Sequence, residues 1–373
     1  MPTTEARPRF FHLTALLLGL MLLGACQGDY PQSSIDPRTD FAETIHSLYV
    51  QVTVWTLAIL VVVWGVLAYV VIRFRENPNR PAPKQTHGHL GLEIAWTIVP
   101  ALIVVAIAIP TIRAVFETQT ELEGDPLIVE IIGHRYWWEV RYPESGVTTA
   151  NEIHLPAGRP VTLQMNSADV VHSFWVPQLG GKRDVNPLRR VGPEGEVRGY
   201  TYLYFTVREP GVFLGQCAEF CGEGHSLMRM RVVAESESDF NAWLADWQEP
   251  SATATAPPPP QDTTIQTPAE DPLVTLGRQT LFTSTCVACH AIQGAPAVGV
   301  LGPNLTRIGG RMTIGAGLLE NTPENLFRWI KDPASIKPGV QMPGAQEGGG
   351  GFPPTNLTDD QIRAIAAYLS SLR

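Results

Sequence analysis

The sequence predicts a multidomain chain: a two-helix transmembrane hairpin, then an all-β sandwich, then a small all-α domain. Three observations carry this. Two long uncharged stretches lie between residues 47 and 112, short Val-, Ile- and aromatic-rich runs fill 127–234, and a Pro-rich segment then precedes a helical tail. The 373 residues leave room for two to three domains at roughly 150 residues each. The charged fraction of 17% is below the roughly 25% of soluble domains, so part of the chain is expected outside water. A mean hydropathy near zero excludes a polytopic transporter. The net charge of −9 divides as +1 over residues 1–116, −12 over 117–272 and +2 over 273–373. This acidic balance argues against a nucleic-acid partner, and the opposite signs of the last two segments favour their encounter.

The front end is read first. Arg7 and Arg9 precede an apolar run, Phe10 to Leu23, with the pattern of a signal peptide and too short to span a bilayer comfortably. It ends in Leu23-Gly24-Ala25-Cys26, which resembles a bacterial lipobox; a plain signal with a nearby Cys is the alternative. Lipidation at Cys26 would hold the mature N-terminus on the outer face of the inner membrane. Ser47–Ile72 is 26 residues without charge and Ile94–Ile112 is 19, against the about 20 needed to cross. Pro100 and Pro110 lie within the second stretch, where membrane helices tolerate them. Between the spans Arg73, Arg75, Arg80 and Lys84 outnumber Glu76 and Glu93, which places that loop in the cytoplasm. A buried soluble hairpin is the alternative. Glu93, at the inner edge of the second span, is either a snorkelling carboxylate or part of a proton path.

In the middle segment, Leu127–Ile132, Tyr136–Tyr142, Val161–Met165, Val170–Val176, Tyr200–Val207 and Met228–Ala234 read as strands. Before the last lies Cys217-Ala218-Glu219-Phe220-Cys221-Gly222-Glu223-Gly224-His225-Ser226-Leu227-Met228. Two thiols, an imidazole and a thioether form a soft donor set that selects copper, whereas thiolate with imidazole alone would also suit zinc. Two Cys four apart can bridge two ions, and a second imidazole is then needed; His172 lies on a predicted strand. A disulfide in this oxidising compartment and structural zinc are the alternatives.

That loop, after the upstream His172-Ser173-Phe174, resembles the dinuclear copper centre (CuA) of cytochrome c oxidase subunit II, and residues 40–245 follow that family's order. The resemblance implies a cupredoxin-like sandwich with bridging Cys217 and Cys221, one copper on His172 and the other on His225. It further implies Met228 on one copper and the Glu219 carbonyl on the other, with the Glu219 side chain reaching a magnesium ion shared with subunit I. Met230 is the nearby competitor to Met228. Gly91-Leu92-Glu93-Ile94-Ala95-Trp96-Thr97-Ile98-Val99-Pro100 is similar to the family segment whose Glu stands at a proton-channel entrance, which implies that role for Glu93. One departure concerns Gly133-His134-Arg135-Tyr136-Trp137-Trp138, where the family has Gly-His-Gln-Trp-Tyr-Trp. Tyr136 takes the position of the Trp that accepts electrons from soluble cytochrome c, so Tyr136 and Trp137 are the candidate electron entrance; Trp137 and Trp138 are also candidates for plain core aromatics.

Residues 250–272, with Ala-Thr repeats and Pro257 to Pro260, read as a semi-rigid tether. After the amphipathic run Leu273–Phe282 comes Cys286-Val287-Ala288-Cys289-His290, the c-type haem attachment signature, with a thioredoxin-like redox pair as the alternative. Met342, before Pro343, is preferred to Met312 as the sixth ligand; it resembles the Met-Pro segment of class I cytochromes c, and thioether ligation raises the iron potential. Gly302-Pro303-Asn304-Leu305 resembles the turn whose Pro carbonyl accepts the proximal His proton. Thr358 with Gln361 predicts a capping box opening a last helix, with Ile362, Ile365, Ala366 and Leu369 on one face.

The expected organisation is a leader over 1–25, a hairpin over 26–116 (spans about 47–72 and 94–112), a copper domain over 117–249, the tether over 250–272 and a cytochrome c domain over 273–373. All five Cys are then assigned: one to lipid, two to copper and two to haem c. Two redox centres on one chain imply one-electron transfer. The resemblance is to a caa(3)-type oxidase subunit II in the bacterial inner membrane. It would accept electrons from a soluble or membrane cytochrome or another periplasmic donor and pass them through haem c and CuA to subunit I. Oxygen would be reduced there with proton pumping, and subunit III is expected beside it. A CuA-containing nitric oxide reductase and a free-standing membrane-anchored electron carrier are the alternatives.

Overall fold

The computed structural model describes residues 30–75, 85, 87–187, 189–190, 197–251, 253–254 and 271–373. The leader with Cys26, the loop cations Arg80 and Lys84, and most of the tether lie outside the described residues.

Helix α1 (Asp40–Arg73) and helix α2 (Leu90–Glu117) are 34 and 28 residues long. At about 1.5 Å per residue both exceed the about 30 Å hydrocarbon core of a bilayer. The two helices touch each other, but no residue of either apolar window is buried inside the chain, and side chains such as Val61, Trp64 and Leu102 face outward. The start of α1 is anchored in the sandwich. Thr39 caps the helix by accepting from the Ala42 N–H at 2.9 Å and donates its own hydroxyl proton to the Leu179 carbonyl at 2.7 Å. Asp40 accepts from the Thr206 N–H at 2.8 Å. Phe41 lies so close to Gly180 that a Cβ there would stand 2.7 Å from its ring, so only glycine lets the two approach.

The middle domain is a sandwich of two five-stranded sheets. One is ordered β10-β5-β1-β2-β3 and the other β4-β12-β11-β6-β7. The strands are β1 (Leu127–His134), β2 (Trp137–Tyr142), β3 (Val147–Ala150), β4 (Glu152–Pro156), β5 (Pro160–Ser167), β6 (His172–Trp175), β7 (Arg183–Val185), β10 (Thr201–Thr206), β11 (Gly211–Cys217) and β12 (Arg229–Glu235); a short pair, β8 (Arg189–Arg190) and β9 (Val197–Arg198), lies outside both sheets. Alternation puts Val129, Ile131, Trp138, Val140, Ile153, Leu163 and Phe205 between the sheets. Helix α3 (Glu237–Gln248), capped by Ser236, closes one end with Phe240 and Trp247. The sequence reading omits β3, β4, β7, β8, β9 and β11: all but β11 are five residues or fewer, and β11 is interrupted by Gly215.

The tail domain is built on α4 (Pro272–Thr283) crossed by α8 (Asp359–Ser371). A Cβ at Gly277 would overlap the Ala364 carbonyl, so glycine sets how closely they cross. The expected capping box is present: Thr358 accepts from the Gln361 N–H and Gln361 accepts from the Thr358 N–H. Between these helices lie α5 (Cys286–Cys289), a small hairpin of β13 (Thr313–Ile314) and β14 (Leu319–Glu320), α6 (Pro323–Lys331) and α7 (Pro333–Ile336). Ser251, Thr253 and Ala254, within the expected tether, pack on this domain: Thr253 donates to the Ser371 carbonyl and the buried Tyr368 hydroxyl donates to the Ala254 carbonyl.

Candidate metal centre and haem pocket

Neighbouring strands of one sheet place the soft donors. β6 pairs with β11 so that Phe174 lies opposite Cys217, which brings His172 beside the end of β11. The loop after Cys217 is fixed at both ends, by Cys217 N–H to the Met228 carbonyl (2.8 Å) and Ala218 N–H to the Ser173 carbonyl (2.9 Å). Gly222, at φ +125°, turns it.

The Cys217 and Cys221 Sγ atoms are 3.9 Å apart. That is far beyond the about 2.05 Å of a disulfide and within the span one ion bridges at about 2.3 Å per sulfur. His172 Nδ1 lies 3.9 Å from Cys217 Sγ, His225 Nδ1 3.7 Å from Cys221 Sγ, and Met228 Sδ 4.0 Å from Cys221 Sγ. The Glu219 carbonyl oxygen is 3.3 Å from Cys217 Sγ. Five side-chain donors and one carbonyl exceed the four ligands of a structural zinc site, and thioether with thiolate is copper's donor chemistry. The residues therefore fit a dinuclear copper centre. Met230, the competitor, is buried against Gly215 in the sandwich core.

Charge at the site follows from contacts. The hydrogen bond from Cys221 draws the Cys217 thiol far below its ordinary value, helped by His172 and the Ser173 and Glu219 backbone; Cys221 is pushed up in turn. The pair thus holds one proton readily and must shed it when metal binds. Burial alone would lower the His172 pKa, but Asp169 and Cys217 overcome it and the pKa is raised. Asp169 Oδ1 sits 2.9 Å from His172 Nε2, which leaves Nδ1 to face the sulfurs. Beneath the imidazole lies Gly133, where a Cβ would come within 2.7 Å of His172 Cδ2. Trp138, fully buried, meets His172 edge-on at 5.8 Å; it is a core aromatic. Glu219 and Phe220 point outward, the carboxylate accepting from the Phe220 N–H at 3.2 Å and Phe220 being 76% exposed.

A second cavity lies between the two domains. From the tail, Cys286, Cys289, His290, Leu301, Trp329 and Met342 line it; from the sandwich, Arg135, Tyr136 and Trp137 do. Cys286 and Cys289 occupy one turn, α5, with His290 at its end. His290 Nδ1 is 2.7 Å from the Pro303 carbonyl, so Nε2 is left for an iron, and burial pushes the His290 pKa down and keeps the imidazole neutral. Gly302 is required here, since a Cβ would lie 2.7 Å from His290 Cε1. Met342 faces this cavity, whereas Met312 is 45% exposed and does not line it. The residues fit a covalently held haem c. Arg135, Arg311 and Lys337 are the cations of the lining; burial lowers Arg311 to about 10 and Lys337 to about 7.

Tyr136 belongs to both sites. Its ring packs on the copper loop, where Cβ atoms at Gly222 or Gly224 would fall 2.5 Å from it. Trp137 stacks on His134 at 4.3 Å. Glu93 lies far from either, in the first turn of α2, and accepts from the His89 N–H at 3.1 Å. Sequence reasoning missed Asp169, Gly133, Arg311, Lys337 and Glu152. Only Asp169 carries a readable signal, as a carboxylate three residues before a candidate ligand His.

Residues 32–114 match the family described as cytochrome C oxidase subunit II, transmembrane domain; residues 145–236 match its periplasmic domain, and residues 276–373 match cytochrome c. Cytochrome c oxidase subunit 2 of Alkalihalophilus pseudofirmus is 32% identical over 384 residues, covering 100% of this chain and 99% of the relative. Its counterpart in Bacillus subtilis is 31% identical over 375 residues, covering 96% and 97%. A quinol oxidase subunit 2 of Bacillus cereus is 30% identical over 253 residues, but covers only 66% of this chain and 83% of the relative.

Proposed function

The chain belongs to the cytochrome c oxidase subunit II family, and from that premise we propose that it relays single electrons from a periplasmic donor, by haem c and CuA, to a haem-copper catalytic subunit that reduces oxygen to water. Copper and haem iron supply the one-electron chemistry; the chain supplies ligands, orientation and a dry path. Cys217, Cys221, His172, His225, Met228 and the Glu219 carbonyl are the proposed copper donors. Cys286 and Cys289 would attach the haem, and His290 and Met342 are the proposed iron ligands. Asp169 and the Pro303 carbonyl each hold the imidazole that faces the metal by its other ring nitrogen. The observation that carries the reading is the shared wall: Tyr136 both packs on the copper loop and lines the haem cavity. Tyr136 and Trp137 are thereby the proposed route between the centres.

The outward carboxylate of Glu219 beside exposed Phe220 suits contact with subunit I, where a magnesium ion would be shared. Glu93 is the proposed proton entrance for a pumping complex that includes subunit III. The hairpin would sit in the bacterial inner membrane with its loop inside and both redox domains outside, Cys26 carrying lipid. The soft donor set and the Cys-x-x-Cys-His tail favour a cytochrome-linked oxidase over a quinol oxidase. Purified complex should consume oxygen when haem c is reduced, and a Cys221→Ser variant should stop that with haem c still reduced. Consumption of nitric oxide in place of oxygen, or undiminished turnover without copper, would overturn the reading.

A further inference from the structure

We propose that Glu152 and Lys337 form a reciprocal clamp that fixes the haem-bearing tail against the copper domain, making them positioning residues for electron transfer between the two centres. The proposal rests on the electron-relay reading above. Glu152 opens β4 of the sandwich and Lys337 follows α7 of the tail; each is 2% exposed. A buried charge is costly unless its hydrogen bonds are met. Each meets its own across the domain boundary.

The Glu152 carboxylate accepts from the Met312 N–H at 3.0 Å and from the Thr313 N–H and hydroxyl at 2.8 Å each. In the other direction, Lys337 Nζ donates to the Tyr136 carbonyl at 2.6 Å, and within its own domain to the Gly315 carbonyl at 3.2 Å. Between the two clamps, the Arg229 N–H donates to the Ala316 carbonyl at 3.2 Å. Lys337 thus grips the backbone of the residue whose ring lies on the copper loop. Two residues on, Gly339 is close enough that a Cβ would be 2.9 Å from Glu223 of that loop, and Met342 follows. A displaced tail would move Met342 and the cavity away from Tyr136. Buried charged contacts of this kind fix register more than they add affinity. The tail is on this account seated in one pose, and the tether serves only to keep it near.

The test uses the full chain in the copper- and haem-loaded complex, with Glu152→Gln, Lys337→Met and the milder Thr313→Val. Glu152→Gln keeps the shape but turns a donor toward the Met312 N–H. Hydrogen exchange at the Met312 and Thr313 amides should quicken by at least about tenfold in Glu152→Gln, the scale of a lost hydrogen bond to a charged group, and by less in Thr313→Val. After photoreduction of haem c, the fast phase of transfer to copper should shrink in all three variants, with copper spectra unchanged throughout and haem potential unchanged in Glu152→Gln, which lies outside the haem cavity. Unchanged exchange and transfer in Thr313→Val and Lys337→Met would overturn the clamp, whatever becomes of Glu152→Gln. A shifted haem potential in Lys337→Met with undisturbed exchange would also overturn it and assign Lys337 to the haem. Absence of copper or haem from the unaltered protein would instead overturn the electron-relay reading.

Discussion

In the copper loop every donor comes from within the sandwich, from β6 and from the twelve residues between the ends of β11 and β12. In the haem cavity the proposed ligands come from the tail, but one wall, Arg135 to Trp137, belongs to the sandwich. The first site is a local object: its sulfurs and imidazoles stand within 4.0 Å of a neighbouring donor. The second is complete only when two domains meet. The copper site should therefore fail by loss of single atoms, and the path between the sites by loss of docking.

The largest expected effect breaks the local side of this contrast. Cys221→Ser should abolish the two-copper signal and leave covalent haem c intact, as read by metal analysis and optical spectra. Persistence of both coppers would show that Cys221 is not a bridge. Next, Met342→Leu should remove thioether ligation and lower the haem potential, while Met312→Leu should leave both unchanged; redox titration of the two variants compares them directly. Asp169→Asn should weaken copper binding by about 10–100-fold, because the acid orients His172; a competitive chelator titration measures it. The smallest effect lies away from both sites. The buried Tyr142 hydroxyl donates to the His154 carbonyl at 2.9 Å and accepts from the His154 N–H at 2.8 Å. Tyr142→Phe should cost about 1–3 kcal/mol in thermal or denaturant unfolding with copper and haem content unaffected.

The same contrast explains what could be read before the structure. Cys217 to Met228 and Cys286 to His290 are contiguous, so ligand chemistry and spacing expose them. The spans, the capping box at Thr358 and most long strands are equally local. The clamp residues are not: Glu152 and Met312 are 160 residues apart and Lys337 and Tyr136 are 201 apart, and nothing in either neighbourhood marks the pairing. Ala254 shows the limit of composition. Its segment reads as tether, yet it is buried with Leu281 and Tyr368 in the tail core. Gly133 appears in the sequence only as the start of the Gly-His-Arg-Tyr-Trp-Trp segment, and the His172 ring over it gives the reason for glycine there. The departure at Tyr136 is legible as a substitution, but its place between the copper loop and the haem cavity emerges only when both domains are folded together.

The most direct test of the central claim is the ratio of copper to haem in the purified, loaded protein, taken with its copper electron paramagnetic resonance spectrum. The account predicts two coppers per haem c, with one unpaired electron shared over two copper nuclei. One copper per haem, bound zinc, or a signal localised on a single copper would contradict it.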